Sequence, residues 1–324
     1  MLVELTHTLT YRYAAPISLG DHRLCLQPRG HGHQRLLEHQ LIVSPEPCHR
    51  HALVAASGDE IQRVRFQGTT DHLCIEARST VKTQAAAPLE ECLNALNPTL
   101  PYPRGHLNSD LQGALDGWLP NGQHDPSAVA LAQDALMGGN QQTLPFLRQL
   151  MATIQDRVKY NERHVGPAWP AGRTLRERVG SCRDLAMLMV ECCRSIGLPA
   201  RFTSGYQLTD PAPADYDLHA WAEIYLPGAG WRGFDPSAGC EVNDRYIVLA
   251  SSSKPELTAA VSGHFNGPPN TISSLEWLIK AEVIGSMPLG TIQKPLRQHE
   301  ELVQDHAKAE AQPPLPSPDR ALES

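Results

Sequence analysis

The chain has 324 residues and a formal net charge of −7, and it is long enough for two folded domains. The acidic balance and the absence of any block of Lys or Arg argue against nucleic acid as a main partner. Hydrophobic residues make up 41% of the sequence, yet no apolar run approaches the length of a membrane span. We therefore expect a folded protein that partners neither nucleic acid nor a membrane.

The start of the chain and the cysteine pattern predict a cytoplasmic location. Residues 1–10 alternate between apolar and polar types like a strand and lack the basic-then-apolar leader of a signal peptide. The eight cysteines include no Cys-x-x-Cys pair, so they indicate neither a disulfide framework nor a zinc site. In a reducing compartment we expect these thiols to be free.

Residues 1–85 predict an N-terminal antiparallel β domain that resembles a sandwich, because short alternating runs are separated by turn residues. The alternating runs lie at 3–13, 36–43, 60–66 and 73–81. Two histidine-dense patches, at 31–33 and 48–51, have the spacing of metal ligands. Surface loops of the β domain explain them better than a metal site does. We expect no metal and no other cofactor.

The rest of the chain predicts a connector, a second domain and a tail. The connector, 86–124, is rich in Ala, Pro, Asn and Gly and should contain little regular structure. The second domain, 125–293, opens with two helix patterns, at 126–138 and at about 143–160. Residues 294–324 are polar with repeated prolines, so we expect a disordered tail.

Residues 182–196 predict an amphipathic helix with Cys182 on its first turn. Ser181 is a good N-cap, and Gly197 is a typical stop. The apolar face of this helix consists of Leu185, Leu188, Met189, Cys192 and Ile196. Unpaired N–H groups and the dipole at a helix start favour an anion. This position should therefore make the Cys182 thiol reactive, and it could also hold an oxyanion.

The segments after this helix contain two further candidate residues, His219 and Asp235. Their patterns predict strands at 200–208, 218–226 and 231–235. If the last two strands pair as a hairpin, His219 and Asp235 project from neighbouring strands, and the helix with Cys182 packs across them. A thiol nucleophile needs a base, and the base needs a third group that fixes its tautomer. Cys182, His219 and Asp235 are therefore a candidate catalytic set.

Three motifs together resemble the transglutaminase-like superfamily. They are GSCRD at 180–184, HAWAE at 219–223 and WRGFDP at 231–236. The opening of the chain, with TYRY at 10–13 and LCLQPR at 24–29, resembles the bacterial branch of that superfamily. Members of that branch join an N-terminal β domain to a papain-like catalytic core. The resemblance implies an α+β fold for this chain.

The resemblance also implies a role for each residue of the candidate set. Cys182 would be the nucleophile, His219 the general base and acid, and Asp235 the group that orients the imidazole. Taken alone, Asp235 before Pro236 could be a mere turn residue.

Four further residues are candidate supports of the site. Asp184 fits a helix-start charge or a structural hydrogen-bond partner better than a catalyst. Trp221 shares a strand face with His219, so it could shield the histidine from water. Tyr160 and Trp169 lie upstream of the nucleophile and are candidates for a side-chain oxyanion donor.

The implied chemistry is acyl transfer through a thioester on Cys182. With water as the acceptor the protein would be a cysteine peptidase or amidase, which is the interpretation we favour. With an amine as the acceptor it would be a protein-glutamine transglutaminase. The remaining alternative is an inactive transglutaminase-like scaffold whose β domain binds proteins. The substrate should be a peptide or a protein, while its identity and the oligomeric state stay open.

Overall fold

Antiparallel sheets and a small group of helices make up the computed structural model. The structure describes residues 1–94, 100, 115–118, 123–213 and 216–285. Our predictions for most of the connector and for the tail at 294–324 lie outside these residues. Within the described part of the chain, no helix is both long enough and apolar enough to cross a membrane.

The strands and helices are numbered in chain order. The first six strands are β1 (Leu2–Leu19), β2 (His22–Leu24), β3 (Gln34–Ser44), β4 (His49–Val54), β5 (Glu60–Arg65) and β6 (Thr70–Thr83). The next seven are β7 (Lys159–Tyr160), β8 (Val179–Gly180), β9 (Ala200–Gln207), β10 (His219–Leu226), β11 (Gly230–Asp235), β12 (Cys240–Glu241) and β13 (Tyr246–Ser252). The last three are β14 (Val261–Ser262), β15 (Phe265–Asn266) and β16 (Ser273–Gly285). The α-helices are α1 (Leu89–Asn94), α2 (Pro126–Gly138), α3 (Thr143–Arg157), α4 (Ala171–Glu177) and α5 (Cys182–Ser195).

Two antiparallel sheets pack face to face at the start of the chain. One has the order β15-β1-β6-β3, with β16 also paired to β1, and the other has the order β14-β2-β5-β4. Leu9 and Ile75 of the first sheet share a buried cluster with Leu24 and Val64 of the second. This arrangement confirms the predicted antiparallel β architecture, because apolar side chains of the two sheets are buried against one another.

The histidine patch at 48–51 and the strand β16 lie elsewhere than the sequence suggested. His49 and His51 are exposed residues of strand β4 rather than of a loop, and they pair with residues of β5.

Strand β16, Ser273–Gly285, pairs with β1 along twelve successive residues of β1, from Leu2 to Tyr13. We had counted these residues with the catalytic domain, because a strand's partner cannot be read from its local pattern.

Helices cover a five-stranded antiparallel sheet in the second half of the described chain. The order of this sheet is β12-β11-β10-β9-β13. Helix α5 packs on β10 and β9, and its Leu188 and Met189 join Ala222, Ile224 and Phe234 in one buried core. The helix at 126–138 and the three predicted strands are present, which confirms the predicted α+β fold.

Two predicted elements differ at their ends. Helix α3 stops at Arg157 rather than near residue 160, because Lys159–Tyr160 pairs in parallel with Val179–Gly180. Within the connector, Leu89–Asn94 forms a short helix where we expected little regular structure.

A buried cluster of charges joins the β-sandwich to the sheet that carries the candidate site. Arg29 lies 2.7 Å from Asp59 and 3.1 Å from Glu223, and it donates to the hydroxyl of Ser251. Arg201 lies 2.7 Å from the other oxygen of Glu223. Because Glu223 is four residues after His219 on β10, this cluster anchors the strand that carries the histidine.

Candidate active site

Cys182 is the first residue of α5, as the sequence predicts. Ser181 precedes it in extended conformation and is the N-cap of the helix. The first N–H groups of the helix, which have no partner within the helix, therefore belong to the turn that carries Cys182. The thiol is half-buried, whereas Cys192 and Cys193 of the same helix are fully buried. A Cβ atom on Gly180 would lie 3.0 Å from Asp184 and from Leu185, so glycine permits this tight entry to the helix.

Asp184 fixes the start of α5 by binding four donors. Its Oδ2 accepts from the backbone N–H and the hydroxyl of Ser181, both over 2.8 Å. Its Oδ1 accepts from the backbone N–H of Trp169 over 2.7 Å and from Arg163 over 2.6 Å. The carboxylate is fully buried. These contacts tie the 161–169 loop to the helix start, which is the structural role we expected for Asp184.

His219 and Asp235 meet at one end of the β10–β11 hairpin. His219 begins β10 and Asp235 ends β11, and His219 Nε2 lies 2.6 Å from Asp235 Oδ2. Because Nε2 faces the carboxylate, Nδ1 is the nitrogen left for a proton exchange with the thiol. The side chain of His219 also interacts electrostatically with Cys182. The structure thus brings together the three residues of the candidate set, and their catalytic role stays a prediction.

The charges of this group are strongly coupled. Burial lowers the pKa of His219, but its hydrogen bond to Asp235 and its contacts with Cys182 outweigh burial and raise the pKa to about 10. Burial raises the pKa of Asp235, but the neighbouring imidazole and the hydrogen bonds it accepts hold that pKa below its usual range. An imidazolium beside a carboxylate is therefore the favoured state of the His219–Asp235 pair.

Asp235 is both a turn residue and the partner of His219. Its Oδ1 accepts from the backbone N–H and the hydroxyl of Ser237, over 2.9 and 2.6 Å, and from the N–H of Ala238 over 3.2 Å. These bonds leave Oδ2 for the imidazole. Asp235 is therefore a turn residue that also contacts the imidazole, and its role in orienting that imidazole for catalysis stays a prediction.

Aromatic rings cover the His219–Asp235 pair. Trp221 is fully buried, and its ring stacks 6.2 Å from that of His219 at 29°. The ring of Tyr246 lies 5.2 Å from Trp221 and 6.2 Å from His219. Trp221 thus packs against the imidazole, and its shielding role stays a prediction. Tyr246 went unnoticed in the sequence because it stands in no motif.

The two candidates for a side-chain oxyanion donor, Tyr160 and Trp169, lie in different surroundings. Tyr160 pairs with Gly180 across β7 and β8, and its side chain is 49% exposed. Partial burial, followed by the charges of Cys182 and Glu162, raises the pKa of Tyr160 to about 12. Its hydroxyl therefore stays a proton donor near the nucleophile. Trp169 lies with its ring against the guanidinium groups of Arg163 and Arg173, at 4.8 and 4.1 Å.

The open side of the site carries exposed polar residues. Glu162, His164 and Asp217 place one potential ligand atom each within 4.8 Å of one another. Trp277 of β16 donates to Asp217 over 2.8 Å. All three potential ligands are solvent-exposed, and such groups are common without a bound ion.

Two family models match the chain. Residues 130–236 match the transglutaminase-like superfamily core, and residues 3–82 match the bacterial transglutaminase-like N-terminal region. The chain therefore joins a bacterial transglutaminase-like N-terminal region to a core of the transglutaminase-like superfamily. All three residues of the candidate set lie within the matched core.

Individual proteins are also similar to this chain. An uncharacterized protein of Mycobacterium tuberculosis H37Rv is 28% identical over 263 residues, which cover 76% of this chain and 82% of that protein. A protein-glutamine gamma-glutamyltransferase of Pseudomonas aeruginosa is 37% identical over 67 residues, which cover 18% of this chain and 10% of that protein. A crystal structure from Cytophaga hutchinsonii, described as a candidate cysteine protease, aligns with a TM-score of 0.67 at 20% identity and covers 91% of this chain and 94% of that one. The last comparison shows the fold.

Proposed function

We propose that this protein is a cysteine acyl-transfer enzyme, and in particular a peptidase or amidase that acts on peptide or protein substrates. The observation that carries the proposal is the 2.6 Å contact between the imidazole of His219 and the carboxylate of Asp235, in a pair that interacts electrostatically with the Cys182 thiol. A thiol at a helix start, an oriented imidazole and a buried carboxylate are the groups that a thiol nucleophile requires.

The proposed cycle uses these groups in order. The Cys182 thiolate attacks the carbonyl carbon, and the helix N–H groups bind the oxyanion that forms. The Tyr160 hydroxyl is the proposed side-chain donor to this oxyanion. The C–N bond then breaks, the imidazolium of His219 gives its proton to the leaving amine, and a thioester remains on Cys182. A water molecule, deprotonated by His219, hydrolyses the thioester and releases the acid.

Transamidation is the second candidate for the last step. The 67-residue match to a protein-glutamine gamma-glutamyltransferase favours it. The groups needed are the same, since an amine replaces water as the acceptor and loses its proton to His219. The two reactions therefore differ in which acceptor reaches the thioester.

A two-stage experiment tests the proposal. Limiting iodoacetamide at mildly acidic pH should label Cys182 ahead of the exposed Cys48, because only the first thiol has an imidazole partner. Preferential labelling of Cys48 would favour the inactive scaffold instead. Peptide libraries are then incubated with the protein, with and without an added primary amine, and the products are read by mass spectrometry.

The products separate the candidates. Shorter or deamidated peptides without the amine would support the peptidase or amidase, and amine adducts formed at the expense of the acid would support the transglutaminase. The Cys182→Ala variant is the matched control, because it removes only the bond-forming atom. Products that persist in this variant would exclude Cys182 as the nucleophile.

A further inference from the structure

Tyr246 contacts the same carboxylate oxygen of Asp235 as His219 does. Tyr246 is the first residue of β13 and is 5% exposed. Its hydroxyl lies 2.9 Å from Asp235 Oδ2, the same oxygen that lies 2.6 Å from His219 Nε2. Strands β10 and β13, which both pair with β9, thus reach the same carboxylate oxygen. Strand β10 reaches it with the imidazole of His219, and β13 with the phenol of Tyr246.

The direction of the Tyr246 hydrogen bond is fixed by a second contact. The side-chain amide of Gln207 donates to the Tyr246 oxygen over 2.7 Å, so the phenol proton is free to point at Asp235. Burial, followed by the charge of Asp235, raises the pKa of Tyr246, so the phenol keeps that proton. Gln207, Tyr246, Asp235 and His219 form one chain of hydrogen bonds, and His219 at its end interacts electrostatically with Cys182.

We propose that Tyr246 is a positioning residue of this centre, which holds Oδ2 of Asp235 toward His219 by donating a hydrogen bond to that oxygen. The inference rests on the proposed function, since it concerns the same carboxylate and imidazole. Oδ1 of Asp235 is already held by three donors from Ser237 and Ala238. Tyr246 supplies the corresponding restraint on the oxygen that faces the imidazole.

The shared oxygen also sets the strength of the Asp235–His219 bond. A carboxylate oxygen that accepts from two donors binds each of them less strongly than it would bind one. Removal of the phenol proton donor leaves more of the carboxylate charge for the imidazolium. Tyr246→Phe should therefore stabilise the imidazolium and raise the pKa of His219, while the carboxylate loses one restraint on its orientation.

Other titratable groups lie near this pair and could confuse the measurement. Within the described residues they are Cys182 from α5, Tyr160 from β7 and Cys240 from β12, each in contact or charge interaction with His219, Asp235 or Tyr246. Burial raises the pKa of Cys240, and the pKa of Tyr160 is about 12, so both stay neutral near neutral pH. A change in the pKa of His219 on removal of the Tyr246 hydroxyl is then not due to a change in the charge of Cys240 or Tyr160.

The test compares Tyr246→Phe with Tyr206→Phe in the full-length protein. Tyr206 is a matched control, because it is a buried tyrosine of the same sheet whose hydroxyl contacts His7, away from Asp235. The imidazole ¹⁵N shifts of His219 are followed by NMR as a function of pH. We expect a rise in the His219 pKa of about half to one unit for Tyr246→Phe, from the usual strength of a hydrogen bond to a charged group. Tyr206→Phe should leave that pKa unchanged.

A second variant covers a failure of Tyr246→Phe to fold. Gln207→Leu keeps the phenol but removes the contact that directs its proton, and it should raise the His219 pKa by a smaller amount in the same direction. An unchanged His219 pKa in every folded variant would overturn the proposal, as would an equal shift in Tyr206→Phe. None of these measurements needs a substrate. Failure of the proposed function, seen as an inert Cys182 in the parent protein, is therefore recognised separately.

Discussion

At the scale of single residues, Asp235 combines a structural contact with a contact to the candidate catalytic histidine. It closes a turn through Ser237 and Ala238, and it accepts from His219 and Tyr246 at its other oxygen. A buried carboxylate needs such a full set of donors, because an ionised group without partners is very unfavourable away from water. The same set orients the imidazole, so structure and proposed chemistry depend on one side chain.

The Asp235→Asn variant separates these two tasks. The amide keeps the shape and can still close the turn, but its NH₂ group can face His219 and favour the wrong imidazole tautomer. We expect alkylation of Cys182 and thioester formation to slow by about two to three orders of magnitude, less than in a serine enzyme, because a thiol is partly ionised without help. The measurement is the rate of Cys182 modification against pH.

The control for Asp235→Asn is the fold of the variant itself, followed by its thermal melt. A rate equal to that of the parent protein, in a variant that stays folded, would mean that Asp235 is only a turn residue. In that case the assignment of the catalytic set would be wrong.

At the scale of elements, the start of α5 depends on Asp184. Asp184→Ala would leave the N–H groups of Ser181 and Trp169 and the guanidinium of Arg163 without their acceptor. We expect a loss of about 3 kcal/mol in the free energy of unfolding, because one partner of a buried ion pair is removed. The 161–169 loop should also become more open to proteolysis.

Urea unfolding measures the loss, and Asp134→Ala is the matched control. Asp134 pairs with Arg157 over 3.2 Å on the surface, where such pairs contribute little. If the two variants lost the same stability, Asp184 would not be the anchor that its four hydrogen bonds indicate.

The elements that carry Cys182, His219 and Asp235 could be predicted because each has a local signature. The helix shows its period and its cap, and the hairpin shows alternation that ends in a turn. Tyr246 offered no such signal. All seven residues of β13 are buried, so its sequence shows no alternation that would single out one side chain. The pairing of β16 with β1 was equally hidden, because it joins residues at opposite ends of the described chain.

At the scale of the whole molecule, buried charges hold the β-sandwich against the catalytic sheet. Burial opposes the charge of Glu223, but Arg29 and Arg201 hold its pKa well below the usual range. The folded pKa is thus lower than the unfolded one. The stabilisation is present above the unfolded pKa of about 4.3 and is lost as the pH falls from there toward the lower folded pKa.

Glu223→Gln tests this linkage. At neutral pH we expect a loss of about 3 kcal/mol, because Arg201 and Arg29 lose a charged partner in a buried place. Below about pH 4 the difference in the free energy of unfolding between parent and variant should narrow. The reason is that Glu223 of the parent becomes protonated in the unfolded chain at these pH values, which favours unfolding of the parent. Urea unfolding at several pH values provides the measurement. Asp21→Asn, at an exposed pair with Arg65, should show no such narrowing gap.

A second linkage lies where β1 meets β9, at His7. This side chain is 1% exposed, and its Nδ1 lies 2.9 Å from the hydroxyl of Tyr206. Burial lowers the pKa of His7 from 6.5 to about 4, because a charged imidazole would lose its water without gaining a carboxylate. The unfolded chain then binds a proton more readily than the folded one.

The sign of the effect of His7 follows from that difference. Its contribution is fully present above about pH 6.5 and is lost as the pH falls toward 4, by up to about 3 kcal/mol. His7→Gln keeps a polar partner for Tyr206 but cannot titrate, so it should flatten the fall in stability between those two pH values. Free energies of unfolding measured across this pH range test the prediction. The control is His72→Gln, at an exposed histidine, which should show the same slope of unfolding free energy against pH as the parent protein. If His7→Gln kept the full slope of the parent protein, the acid sensitivity would arise elsewhere, and the contact of β1 with β9 would not be its source.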